Sequence, residues 1–165
     1  MFELKPLHTE AIPRALEKAE RYRLLNEPAQ AESICLDVLE IDPENQQALV
    51  TLLLALTDQF EHGVADYGKQ ARELIPRLHS EYERAYYAGI ICERQARAQF
   101  HLRAPGTGVI AHHWLVEAMN FYEKAEAIRP LGNDDALLRW NTCARMLRRD
   151  PHLVAAPEGR FEALE

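Results

Sequence analysis

Apolar residues recur at intervals of three and four along most of this chain, in stretches separated by proline, glycine and aspartate. This spacing is typical of α-helices with one buried face, because 3.6 residues make one helical turn. The alternation typical of a half-buried strand does not occur in the sequence. The pattern therefore predicts an all-α chain with helices over 11–25, 29–40, 45–59, 64–74, 80–102, 109–128 and 133–149.

Small side chains predict where the first two helices touch. Ala15 and Ala19 lie on the first helix and Ala31 on the second, and we expect these residues to pack in an antiparallel hairpin. Thr9 is expected to cap the first helix, because a side-chain oxygen before a helix can accept a hydrogen bond from a free amide. Pro28 suits the first turn of the second helix, where its missing N–H costs little.

The stretch 12–45 combines these features in a unit of fixed length. Ala19 and Tyr22 lie in its first helix, Ala31 lies in its second, and Pro43 closes it. In this respect it resembles a tetratricopeptide repeat, a helix–turn–helix of about 34 residues. The four residues match the small, aromatic, small and proline positions of that repeat.

The resemblance extends with departures to about residue 150. Leu52 replaces the small residue expected in the second unit, while Gly89 occupies that position in the third. An insertion in the third unit lengthens its helices or the loop between them. The implied units are 12–45, 45–78, 82–131 with the insertion near 97–113, a capping helix 133–149 and a tail 152–165. The resemblance implies one domain, 1–165, in which antiparallel helix pairs stack as a short right-handed superhelix.

The charge of the chain excludes some partners. Its 165 residues carry a net charge of −7, and residues 1–60 hold 5 basic and 11 acidic side chains. A general nucleic-acid binder, or a protein drawn to anionic lipid, would carry a basic surface. We therefore expect neither nucleic acid nor a membrane as a partner.

The cysteines and the first residues of the chain indicate the cellular compartment of the protein. Cys35, Cys92 and Cys143 are far apart, odd in number and set among apolar residues, so we expect buried thiols in a reducing compartment. The first residues lack the basic and apolar regions of a signal peptide, and the longest apolar run is too short to span a membrane. These features favour a cytoplasmic protein.

The family resemblance also implies a binding surface, because the first helix of each pair lines the concave face of such a stack. The partner-binding residues implied in this way are Leu16, Glu20, Leu49, Leu53, Leu56, Tyr86, Ile90 and Trp140. An apolar groove suits an amphipathic helix or an extended peptide of a partner. The resemblance thus implies a non-catalytic scaffold for protein–protein interaction. Alternatively, the insertion or the tail covers this groove.

Two further groups of residues leave alternatives open. His112 and His113, near the insertion, would be the site of a metal- or ligand-binding enzyme or sensor. We expect no metal, cofactor or catalytic residue, because no third ligand or nucleophile accompanies the two histidines at a recognisable spacing. Arg94, Arg97 and Arg103 favour a solvated helix face, with an acidic or phosphorylated partner as the alternative.

Overall fold

A computed structural model describes residues 1–157, apart from the side chains of residues 64 and 65. Its regular structure is entirely helical within that range, which confirms the predicted all-α class. The seven α-helices are α1 Ile12–Leu24, α2 Pro28–Ile41, α3 Gln46–Thr57, α4 Val64–Leu74, α5 Glu81–His101, α6 Thr107–Ala127 and α7 Asp135–Arg149. Each begins and ends within two residues of its predicted bounds.

The chain divides into two compact units, Met1–His79 and Ser80–Glu165. In the first unit α1 packs against α2, α2 against α3 and α3 against α4, and α1 also contacts α3. In the second unit α5 packs against α6, and α6 against α7. Helices that are joined by a few residues and pack together run in opposite directions. Their stacking as a superhelix over one domain stays a prediction.

The ends of the helices depend on local hydrogen bonds. Asn45 caps α3 by accepting a hydrogen bond from the amide of Ala48 at 2.9 Å, and Ser80 caps α5. The prediction that Thr9 caps the first helix is wrong. A 3-10 turn, Thr9–Ala11, leads directly into α1 and leaves Ala11 as its N-cap, without a side-chain hydrogen bond.

Two of the three predicted contact alanines are completely buried. Ala19 and Ala31 have no exposed surface, which suits the close approach of α1 and α2. Ala15 is only partly buried. The burial of Ala19 and Ala31 agrees with the predicted contact between α1 and α2, while the contact at Ala15 stays a prediction.

The region of the predicted insertion, 97–113, is helical except for the short connection between α5 and α6. Both α5 and α6 have 21 residues, and only residues 102–106 connect them. Arg103 and Gly106 both have positive φ angles, of 47° and 83°, which turn the chain within this short connection. The predicted tail 152–165 is described as far as residue 157, and residues 158–165 lie outside the described part.

Candidate functional site

The second unit contains a close contact between α5 and α6, at which Gly89 faces the ring of Tyr122. A Cβ atom at residue 89 would lie 2.5 Å from Cε1 of Tyr122, so a larger residue would force the ring to move. The Tyr122 side chain has no exposed surface. Glycine in the middle of this helix therefore permits a fully buried tyrosine against its backbone.

Tyr122 in turn contacts a buried carboxylate on α5. Its hydroxyl donates a hydrogen bond of 2.6 Å to Oε2 of Glu93, whose side chain is completely buried. Oε1 of the same carboxylate accepts hydrogen bonds from Nη2 of Arg97 at 2.6 Å and from Nη1 of Arg139 at 3.2 Å. A buried charge is tolerated only when it is paired and hydrogen-bonded, and Glu93 meets both conditions.

The two guanidinium groups are held close together by this arrangement. Arg97 Nη2 and Arg139 Nη1 are at most 5.8 Å apart, since the first lies 2.6 Å and the second 3.2 Å from the same oxygen. Unlike Glu93, both side chains reach solvent, with 39% of Arg97 and 32% of Arg139 exposed. The cluster therefore presents two partly exposed positive charges above one buried negative charge.

The protonation states of the cluster follow from its burial and its charges. Burial by itself would lower the pKa of Arg139, but the charge of Glu93 and a hydrogen bond with Tyr86 outweigh it, so the pKa is raised. Burial and the charge of Glu93 raise the pKa of Tyr122 far above its ordinary value. Arg139 therefore stays positive, and Tyr122 stays a hydrogen-bond donor.

Tyr86 extends this cluster with an aromatic surface. Its ring stacks on Tyr82 at 5.8 Å, meets Tyr87 edge-on at 5.1 Å and lies 6.0 Å from Tyr122. Tyr86 itself is partly exposed. We call the three partly exposed side chains Tyr86, Arg97 and Arg139 the arginine face.

Most of the predicted partner-binding residues lie in the interior instead. Leu16, Leu49, Leu53, Leu56 and Ile90 are each at most 3% exposed. The helix that carries three of these leucines, α3, is in contact with α1, α2 and α4, so its apolar surface is covered by its own unit. This corrects the prediction that these five side chains form an open groove.

The three remaining predicted residues, Glu20, Tyr86 and Trp140, are at least partly exposed. Glu20 is exposed on α1 and accepts a hydrogen bond of 3.2 Å from Gln47, in the first unit. Trp140 is partly exposed on α7, and its indole N–H donates to Glu123 on α6 at 3.0 Å. Tyr86 is the predicted residue that lies on the arginine face.

Trp140 and Arg139 are adjacent in the sequence but point to different helices. Residues turn by about 100° along a helix, so the two side chains border opposite edges of the stripe that contains Ala136 and Cys143. Both of these small residues are completely buried. Arg139 accordingly reaches α5, whereas Trp140 reaches α6.

Arg139 is not among the residues that the sequence singles out. Glu93 and Arg97 have the spacing of four residues that places an ion pair on one helix face, so half of this cluster has a sequence signal. Arg139 lies 46 residues from Glu93 on another helix, and no local pattern joins them. Only the folded chain brings the second guanidinium to the same oxygen.

The alternative site near His112 and His113 has a different character. Burial and then the charge of His113 lower the pKa of His112, which favours its neutral form. The ring of His113 meets Trp114 edge-on, with centroids 5.5 Å apart. Across the described residues, no three His, Cys, Asp or Glu side chains are grouped as metal ligands would be.

A cleft of about 550 Å³ lies elsewhere in the second unit, between the α5–α6 connection and the segment after α7. Its lining includes Arg103, Thr107 and His152. The backbone carbonyl of His152 approaches Gly108 so closely that a Cβ there would collide with it. Close packing of the chain on itself accounts for this glycine without a ligand.

The three cysteines are buried free thiols, as predicted. Burial raises the pKa of Cys35 and of Cys143 to about 12. Of the helices in the described part of the chain, none combines the length and the apolar character needed to cross a membrane.

Residues 1–157 thus define an all-α protein of paired helices, whose second unit holds two arginines on a buried glutamate. No protein-family model, curated protein or solved structure matches this chain. The resemblance to tetratricopeptide repeats therefore stays a prediction from the sequence.

Proposed function

We propose that this protein is a non-catalytic scaffold of tetratricopeptide-like type, which binds a segment of a partner polypeptide on the arginine face. The observation that carries the proposal is the pair of partly exposed guanidiniums fixed on one completely buried carboxylate, beside the partly exposed Tyr86. Arginine and tyrosine are, together with tryptophan, the residue types enriched among those that dominate binding energy at protein interfaces.

The two arginines are held in place before a partner binds, which supports the proposal. A flexible arginine loses about 0.5–1.5 kcal/mol of conformational freedom when a partner immobilises it. Arg97 and Arg139 are already held by Glu93, so part of that cost falls on folding and not on binding. Such a surface discriminates among partners by geometry.

The contacts within each unit support the tetratricopeptide-like arrangement. In such a stack the first helix of one pair lies against the first helix of the next. In the first unit α1 contacts α3 in this way. In the second unit Arg139 and Asn133, on and just before α7, reach Glu93 and Tyr82 of α5. The three free thiols support the cytoplasm as the location.

Peptide selection tests the proposal without a known partner. The immobilised protein is used to select from displayed random peptides of about 12 residues, and enriched sequences are synthesised with a fluorophore. Their affinity is then measured by fluorescence anisotropy. An interface residue that dominates binding contributes about 2 kcal/mol or more, so Arg139→Ala is expected to weaken binding by at least about tenfold.

Arg148→Ala provides the matched control. Arg148 lies on the same helix and is exposed, so its substitution removes the same charge without touching Glu93. We expect it to leave the affinity within about twofold, as for a surface charge outside the interface. Failure to enrich any peptide, or enriched peptides that bind wild type and Arg139→Ala equally well, would overturn the proposal.

A further inference from the structure

The arginine face holds more positive charge than the interior requires. Glu93 has one negative charge. One of its oxygens already accepts a hydrogen bond from Tyr122, and the other accepts one from Arg97. One guanidinium would be enough to neutralise this carboxylate, because each guanidinium carries a single positive charge. Arg139 therefore adds a positive charge in excess, in a chain whose net charge is −7.

The excess charge lies where a second anion could meet both arginines. Their contacting nitrogens are at most 5.8 Å apart, because both bind Oε1 of Glu93. Each guanidinium has five N–H donors, of which the contact with Glu93 takes one. About a third or more of each side chain is exposed, so donors remain within reach from solvent.

The surroundings of Arg139 do not remove this excess. Asp135 lies one helical turn before Arg139 and is exposed. The ion pair that Arg139 forms among the described residues is nevertheless with Glu93, on another helix. The two guanidiniums together carry one positive charge more than Glu93 neutralises, and a second oxyanion bound to their solvent-exposed donors would balance that charge.

We propose that Arg97 and Arg139 together form a recognition site for an oxyanion, either a carboxylate or a phosphate, on a side chain of the partner polypeptide. This inference rests on the proposed function and specifies the chemistry of its ligand. The planar fork of a guanidinium matches the oxygens of both groups, which makes paired arginines suited to them. The ligand is therefore an acidic or phosphorylated segment.

Titration of small anions tests the site without any peptide. Arginine Nε–Hε signals of the isotope-labelled protein are followed by NMR while sodium acetate or inorganic phosphate is added, with sodium chloride at equal ionic strength as control. We expect saturable shifts at Arg97 and Arg139, larger for the anion that matches the natural ligand. Equal shifts with chloride, or equal shifts at all exposed arginines, would refute the site.

Two variants distinguish anion binding at this site from a general effect of positive charge on the surface. Arg139→Ala is expected to abolish the saturable shift at Arg97, whereas Arg148→Ala should leave it unchanged. Since Arg139→Ala also removes a contact of Glu93, the fluorescence of Trp114 and Trp140, both in the second unit, checks that this unit remains folded. If Arg139→Ala unfolds, Arg139→Lys is used instead, because lysine keeps the positive charge but lacks the planar fork of the guanidinium. A saturable shift of wild-type size at Arg97 in this variant would refute the site.

The selected peptides distinguish failure of this inference from failure of the proposed function. Replacing their acidic residues by alanine should weaken binding by at least about tenfold, because the charge-assisted hydrogen bonds to the two arginines are lost. Versions with phosphoserine show which oxyanion is preferred. If a peptide binds but neutralising it changes nothing, the oxyanion site is refuted while the function stands. If acetate or phosphate titrates but no peptide is selected, the oxyanion site is supported and the polypeptide function is overturned.

Discussion

The contact between Gly89 and Tyr122 can be tested by Gly89→Ala, the smallest possible change at this position. The new Cβ would lie 2.5 Å from Cε1, 2.7 Å from Cδ1 and 3.0 Å from Cζ of Tyr122. The ring has little room to yield, because it is completely buried and its hydroxyl is bound to Glu93 at 2.6 Å.

Two effects of opposite sign determine the size of the change. Overpacking a well-packed interior costs about 1–3 kcal/mol. Alanine in place of glycine within a helix returns about 0.5–1 kcal/mol, because it restricts the unfolded chain. An approach of 2.5 Å is far inside van der Waals contact, so the cost should lie in the upper part of its range, at about 2–3 kcal/mol. We therefore expect a net loss of roughly 1–2.5 kcal/mol in the free energy of unfolding of the second unit.

Guanidinium denaturation followed by tryptophan fluorescence measures this loss. Both tryptophans of the chain, Trp114 and Trp140, lie in the second unit, so the signal reports on that unit, while circular dichroism reports on all helices. Tyr122→Leu provides the control background. Without the ring, Gly89→Ala should be neutral or stabilising. An unchanged or raised midpoint for Gly89→Ala in the wild-type background would contradict the contact.

Three further changes test other parts of the structure. Tyr122→Phe removes the donor to Oε2 of the buried Glu93, and should lower the free energy of unfolding by about 1.5–3 kcal/mol, measured by the same fluorescence method. Asn45→Ala removes the cap that accepts from Ala48, and should cost about 1 kcal/mol, seen as a lower melting temperature by circular dichroism. Limited trypsin digestion should cut after Arg103, which is exposed in the α5–α6 connection, before any site within α5, as mass spectrometry of the first fragments would show.

The candidate site shows why burial was harder to predict than helices. A stripe of leucines on α3 indicates that one face is apolar, but it does not say whether another helix or a partner covers that face. Leu49 and Leu53 are completely buried, because α3 has neighbours within its own unit. The accessible surface consists instead of side chains such as Arg97 and Arg139, whose bodies pack inside while their ends reach solvent.

The sequence by itself determined the seven helices and most of their ends, because helix periodicity, proline and capping residues act over only a few positions along the chain. The spacing of four residues between Glu93 and Arg97 permits an ion pair on one helix face, but this spacing alone did not single the pair out. Only the tertiary structure decided that Arg139 shares the same carboxylate oxygen and that Tyr122 packs against Gly89. These contacts join residues 46 and 33 positions apart, and their formation depends on how α5, α6 and α7 pack, which no local pattern encodes.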